Sequence, residues 1–410
     1  MADRNIYAGL ARHGSAGVRA VGLIKLVEQG NVQSGEFAYG LRYLKDAQAQ
    51  PLNPLHLPLR EEPFALREGR LRDGGALPLT FRDALPDTWG RKVLQVLHGP
   101  LSDVEALLLT NEDRVGALVF SEAVPMRVNA PALDHPSLDQ LAEAARRVEA
   151  GMDVPPAMQR LLSGGSLGGA RPKASFVHQG RRYLAKFSSR GDDHAVEVLE
   201  AATLSLARAC AVSTPDHFLQ PLAKGAHALL LERFDRTGPI GAEFRFHYLS
   251  AAALLDAPYE SSLGSYAELA LVLRRISAKP EEDLLDLYRR LIFNLAVGNT
   301  DDHVKNHGML LRAPGQWRLA PAFDLVPQLD ANVGVQGLAI VPGKHESSLA
   351  LAREAAPAFG LRDDEAAQIA RPILEQVQRD MYGNVRASGG TDALAKRAKA
   401  YVTAQRERIA

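Results

Sequence analysis

Apolar residues recur every three to four positions over 266–276 and 284–297, which predicts two amphipathic helices, the second starting at Asp283. The same spacing at Leu138, Leu141, Ala144 and Val148 predicts a core-packed helix over 138–150. Shorter patterns predict helices over 103–109 and 193–212, and 350–410 reads as helical. Strand patterns dominate the first 125 residues. Val21–Leu26 and Glu36–Leu44 alternate in part, with Gly30, Asn31 and Gly35 as turn residues, and Pro51, Pro54 and Pro58 then break the chain into extended pieces. Residues 83–94 read as a turn into a short helix, capped by Asp87 or Thr88 and anchored by Trp89. The continuous apolar run 115–120 reads as a buried strand. Residues 174–178 and 182–188 make a hairpin about Gln179–Gly180. Residues 226–236 make an apolar strand that turns polar at Glu232 and ends at Gly238–Pro239, and 309–319 makes a second hairpin.

The expected organisation is a β-rich segment 1–125, a segment 126–235 that opens with a proline-punctuated connector, and a mainly helical segment 236–410. Hydrophobic residues make up 46% and charged residues 23%, as in an ordinary globular chain. Lys+Arg and Asp+Glu are both 48, which speaks against a large nonspecific nucleic-acid surface. The basic end (Lys396, Arg397, Lys399, Arg406, Arg408) reads as a solvated face. Cys210 is the sole cysteine, set in an apolar helical run, and reads as a small core residue in a reducing compartment. No signal-peptide layout or membrane-length apolar run is seen, so a cytoplasmic protein is expected.

The chemistry concentrates where the helix over 284–297 ends. Asp301, His303, Lys305 and Asn306 fall within six positions, and Asp324 comes after the second hairpin. A loop acid, a loop amide and a second acid suit phosphoryl transfer: one acid takes a hydroxyl proton, and the amide and second acid hold Mg²⁺ on ATP. Upstream, Ser163–Lys173 carries four glycines in seven residues, followed by a strand. Glycines let main-chain N–H groups approach phosphate oxygens. Lys186, on the next strand, stands where a phosphate-binding cation is needed. Glu197 and Glu200 on the following helix are candidate partners for it, and the strand end at Glu232 offers main-chain groups to an adenine. A metal-dependent phosphohydrolase using Asp301, Asp302, His303, His307 and Asp324 is the competing reading. It lacks further ligands on the preceding helix and leaves the nucleotide-type residues unused.

The segments Gly298-Asn-Thr-Asp-Asp-His-Val-Lys-Asn306 and Ala322-Phe-Asp324 resemble the signature of HipA-family serine/threonine kinases, the toxins of HipBA-type toxin–antitoxin pairs. Leu85–Leu94 and Asp113–Phe120 resemble that family's N-terminal subdomain, Ser166–Lys173 its phosphate loop, Glu232–Arg236 its hinge, and Ser265–Leu269 part of its helical lobe. The resemblance implies an α+β, bilobal, protein-kinase-like (HipA-like) fold, with ATP and Mg²⁺ as cofactors. It makes Asp301 the catalytic aspartate, and Asn306 and Asp324 the metal ligands. It gives ATP contacts to Gly168, Gly169, Ala170, Arg171, Pro172, Lys173, Lys186, Glu232, Arg233, Phe234, His303, Lys305, Asn306, Phe323 and Asp324. It makes Ser166 the autophosphorylation site with Ser163 as second candidate, and Glu200 the lysine-pairing glutamate with Glu197 as second candidate. It implies a DNA-binding HipB-like antitoxin as partner, operator DNA mainly through that antitoxin, and an aminoacyl-tRNA synthetase as protein substrate. An inactive co-repressor scaffold and a small-metabolite kinase are the alternatives. The spacing Asp301-x-His303-x-Lys305-Asn306 sets Asp301 as the base and leaves Asp302 as an expected solvent-facing neighbour.

Overall fold

The computed structural model describes residues 2–13, 17–110, 113–126, 136–162, 169–329 and 334–410. It is an α+β chain that divides into two compact units. One comprises 1–190, 232–249 and 310–315; the other comprises 191–231, 250–309 and 316–410.

The first unit is built on a sheet in which seven strands pair among the described residues. Ala2–His13 and Gly17–Gln29 run antiparallel, and Val32–Tyr39 and Phe64–Arg70 extend the sheet on one side. Leu118–Ser121 pairs with Ala2–His13, which also meets the short strand Phe244–Arg245. Alternation drives one sheet face inward: Ile6, Ala8, Ile24, Leu26 and Phe37 are buried. Phe81 and Phe64 close over Phe37, with ring centroids 5.2 and 6.2 Å away.

Two strand expectations change. The strand from Glu36 stops at Tyr39, because the Gly40 N–H turns to the Val21 carbonyl and the chain enters the short helix Leu41–Leu44. The apolar run from Val115 becomes strand only at Leu118, because Gly116 takes a left-handed conformation (φ 78°) and gives its N–H to Asp235. The helices Thr88–His98, Asp103–Leu109 and Leu138–Glu149 form where expected. Asp87 caps the first through Gly90 N, and Ser102 and Ser137 make capping boxes on the other two.

The second unit is mainly helical. Pro280–Val297 carries Pro at its first turn and three acidic residues beside it, all favourable at a helix N-terminus. It packs against Tyr266–Ile276, Asp363–Ala387 and Asp392–Ile409. Val196–Ala209 packs on Asp363–Ala387 and carries the buried Cys210 at its end. Strands His217–Pro221 and His227–Glu232 pair antiparallel, with His217 opposite Leu231. Among the described residues, no helix is long and apolar enough to cross a membrane.

Candidate active site

Pro280–Val297 ends at Gly298, whose left-handed conformation (φ 65°) closes the helix with N–H bonds to its last turn. A Cβ at Gly298 would lie 2.5 Å from the Tyr401 hydroxyl, which itself donates to the Gly298 carbonyl. The final helix therefore holds the point from which the loop departs.

Along that loop, exposure alternates. Asp301 and Lys305 are exposed and His303 is half-buried, while Asp302, Val304 and Asn306 are buried. Asp301 is thus presented to solvent. Asp302 is not the solvent-facing neighbour expected from the sequence. It is 1% exposed, with Oδ1 accepting from His307 Nε2 at 2.8 Å and Oδ2 accepting from the Tyr266 hydroxyl. The physical reason is local: the Asp302 side chain turns inward, where His307 and Tyr266 offer it two donors. Burial alone would push the Asp302 carboxyl up, but His307 and Tyr266 outweigh it and hold it below the usual carboxylate range. An ionised Asp302 can only accept, so His307 carries its proton on Nε2. Burial, with Asp302 alongside, pushes the Tyr266 phenol well up, which keeps it a donor.

The loop backbone is held as well. The carbonyls of Thr300 and Asp302 accept from Gly337 and Leu338 N–H, and the Asn306 N–H turns back to the His303 carbonyl. Asp324 adopts a left-handed conformation (φ 54°), which Asp tolerates better than most residues, and its carbonyl accepts from Asn299 Nδ2 at 3.2 Å. Burial pushes the His303 ring's pKa down, against the upward pull of the Asp302, Asp301 and Asp324 carboxylates. The His303 ring also meets Tyr259 edge-on at 4.6 Å, and Lys305 Nζ sits 5.5 Å over the same ring.

Asn306 and Asp324 supply one amide and one carboxylate, hard oxygen donors of the kind Mg²⁺ takes when phosphates and water fill its other positions. Among the described residues no three His, Cys, Asp or Glu side chains gather as a metal cage. With Asp302 and His307 bonded to each other, the hydrolase reading loses two of its ligands.

In the first unit, Ser163, Ser166 and Gly168 lie outside the described residues. Gly169, Ala170 and Arg171 are exposed; Pro172 and Lys173 are buried. Lys173 and Lys186 stand directly opposite on strands Lys173–His178 and Arg181–Phe187, so their side chains share a face. Lys173 is countered by Asp87 at 3.5 Å. In the second unit Glu197 and Glu200 are both buried on their helix.

At the hinge segment, Glu232 is paired with the exposed Arg181, and Phe234 lies near Tyr248. Arg233 turns inward: it pairs with Asp235 at 2.7 Å and donates to the carbonyls of Asp113 and Arg114. The Arg233 guanidinium is therefore committed within the first unit, and its main-chain N–H donates to the Arg182 carbonyl at 2.9 Å. Phe323 is half-buried beside Asp324.

Sequence reasoning gave no role to Tyr266, Asn294 or Asn299 and took His307 only as a ligand in the hydrolase reading; all four are buried. The available signal was a polar residue on an otherwise apolar helix face, as at Asn294 between Phe293 and Leu295.

A model of the HipA N-terminal domain matches residues 17–121, and a model of the HipA-like C-terminal domain matches 165–381. The Sinorhizobium fredii (strain NBRC 101917 / NGR234) protein named "Putative kinase Y4mE" is 29% identical over 315 residues, 71% of either chain. The HipA of Shewanella oneidensis MR-1, solved with HipB and its operator DNA, superposes with a TM-score of 0.69. That match covers 98% of this chain and 96% of the other at 16% identity, a likeness of fold. The Helicobacter pylori proinflammatory kinase CtkA matches more loosely, with a TM-score of 0.44 and 13% identity, covering 59% of this chain and 90% of that one. With the C-terminal model alone spanning more than half of its 410 residues, the chain belongs to the HipA family.

Proposed function

We propose that the protein is an ATP- and Mg²⁺-dependent protein serine/threonine kinase. The observation that carries this reading is the loop itself. It exposes Asp301, buries Asp302 and Asn306, and is linked through Asn299 to the turn at Asp324. In this reading Asp301 accepts the proton of the substrate hydroxyl. Asn306 and Asp324 would hold the metal, which would offset the charge of the phosphates. Lys186 and the main chain of 168–173 meet the phosphates, with Lys173 anchored by Asp87. The main chain of Glu232–Phe234 meets the adenine, and His303, Lys305 and Phe323 border the nucleotide.

The finer proposal follows the family. The chain acts as a growth-inhibiting toxin, phosphorylates an aminoacyl-tRNA synthetase, and autophosphorylates at Ser166, or else Ser163. The Shewanella HipA was solved with HipB and operator DNA, which supports a HipB-like antitoxin as partner here, with DNA reached mainly through it. A phosphate at Ser166 adds about −1.5 to −2 charge to a loop that must itself bind phosphate, which makes it inactivating.

Phosphoproteomes after expression of wild type and Asp301→Asn test the proposal. Wild type adds serine or threonine phosphosites that Asp301→Asn does not; identical sets would overturn it. Phosphate that still appears on the 163–173 peptide of Ser166→Ala would move the autophosphorylation site away from Ser166.

A further inference from the structure

Behind the loop runs an unbroken chain of buried side-chain hydrogen bonds within the second unit. His307 Nε2 donates to Asp302 Oδ1 at 2.8 Å, and the Tyr266 hydroxyl donates to Asp302 Oδ2. Asn294 Nδ2 donates to the Tyr266 oxygen at 2.9 Å. Asn299 Nδ2 donates to Asn294 Oδ1 at 3.1 Å and to the Asp324 carbonyl at 3.2 Å. All five side-chain members, His307, Asp302, Tyr266, Asn294 and Asn299, are 0–1% exposed.

The direction of each bond is fixed. Asp302 is held ionised and accepts twice, so Tyr266 gives it its only proton. The Tyr266 oxygen is then left to accept from an amide, which orients Asn294 with its carbonyl toward Asn299. Asn299 has two amide hydrogens and uses one on each neighbour. No member can flip without leaving a buried donor or acceptor unmet, which makes the chain a stiff spacer.

Its two ends are informative. Asp302 and His307 bracket the segment that contains Asn306, with Asp301 immediately before it. Asn299 grips the carbonyl of Asp324 at its left-handed turn (φ 54°), a conformation that costs a non-glycine residue energy unless its surroundings hold it. A bond to the carbonyl of that turn fixes the direction in which the Asp324 carboxylate leaves the backbone.

We infer that Tyr266, Asn294, Asn299, Asp302 and His307 are positioning residues that set the spacing between Asn306 and Asp324, and so the geometry of the divalent-cation site. The inference rests on the proposed roles of Asn306 and Asp324. Partners behind metal ligands typically contribute about 10- to 100-fold in metal affinity.

The test is Mn²⁺ binding to the purified full chain with a non-hydrolysable ATP analogue, read by electron paramagnetic resonance, beside binding of the analogue in EDTA. Tyr266→Phe removes one oxygen and keeps the ring. It is expected to weaken Mn²⁺ by roughly tenfold or more, with metal-free nucleotide binding and far-ultraviolet circular dichroism unchanged. His307→Leu is expected to do the same, and His307→Gln, which keeps an amide donor for Asp302, to recover most of the loss. Wild-type Mn²⁺ affinity in Tyr266→Phe or in His307→Leu overturns the inference, and the His307 pair decides it should Tyr266→Phe not fold. Asp324→Asn separates the two levels: if it leaves Mn²⁺ binding intact, the metal-ligand reading itself fails. If it abolishes binding while Tyr266→Phe does not, the positioning chain alone is wrong.

Discussion

The indole N–H of Trp89 donates to the carbonyl of Lys173 at 2.8 Å, across 84 positions of sequence. The Trp89 backbone N–H also meets the Gly169 carbonyl at 3.2 Å, and the neighbouring Asp87 pairs with the Lys173 ammonium at 3.5 Å. A helix start in the segment matched by the N-terminal family model thus holds both ends of 169–173, in the segment matched by the C-terminal one. Trp89 is 2% exposed. Trp89→Phe keeps an aromatic ring but leaves the buried Lys173 carbonyl short of a donor, an expected cost of about 1–3 kcal/mol. Trp89→Ala is expected to cost about 3–5 kcal/mol. Denaturant unfolding of the two variants checks the order; equal loss in both would mean that the ring contributes nothing beyond the hydrogen bond.

Asp235 sits between Arg233 and Arg236 in the first unit and accepts the Gly116 N–H at 2.9 Å. Burial would push its carboxyl up, but the two guanidiniums outweigh it and hold it well below the usual carboxylate range. Its folded pKa is depressed, so its contribution is present above the unfolded value of about 3.9 and is lost as pH falls below that toward the folded value. Asp235→Asn leaves buried guanidiniums uncompensated and is expected to cost about 3–5 kcal/mol at neutral pH. In urea titrations from pH 7 to pH 3, wild type should lose stability below about pH 4, and the gap to Asp235→Asn should narrow with it. A gap that stays constant would show that the carboxylate's charge is not what stabilises the cluster.

The Cys210 thiol is pushed up to about 12 by burial. It is therefore expected to stay unreactive toward a disulfide reagent at pH 8 in the native protein and to react fully in denaturant. Rapid native labelling would mean that the end of helix Val196–Ala209 opens readily.

Gly337 passes so close to the loop that a Cβ there would stand 2.7 Å from the Asp302 carbonyl oxygen, a main-chain atom that can yield only by moving the loop. Gly337→Ala is expected to lower turnover about 10- to 100-fold through displacement of Asp301, with a smaller effect on ATP affinity. Unchanged turnover would show that the loop tolerates the shift.

The helices 103–109 and 266–276 were legible in the sequence because an apolar face at helical spacing is local information. The loop 298–306 was legible as a motif for the same reason. Strand Ala2–His13 was not: Ala and Arg interrupt its apolar positions, and it is held by pairing with 17–29 and 118–121 rather than by its own pattern. Trp89 read as a packing anchor, but its partner Lys173 lies too far along the chain to be named. Asp302 misled because its spacing matches no role, whereas its direction depends on Tyr266, 36 positions earlier, and on His307. Arg233 is similar: its motif points to a hinge, and its side chain answers to Asp235 and to two distant carbonyls.

Whether Asp301 makes this chain a phosphotransferase is tested most directly by one measurement. Purified wild type and Asp301→Asn are incubated with radiolabelled ATP, Mg²⁺ and a cell lysate, and label transferred to protein serine or threonine is quantified. Transfer by wild type is expected, with its loss by at least about 100-fold in Asp301→Asn and similar nucleotide binding by both. Equal transfer by the two proteins, or none by wild type under conditions where it binds ATP, would contradict the role given to Asp301.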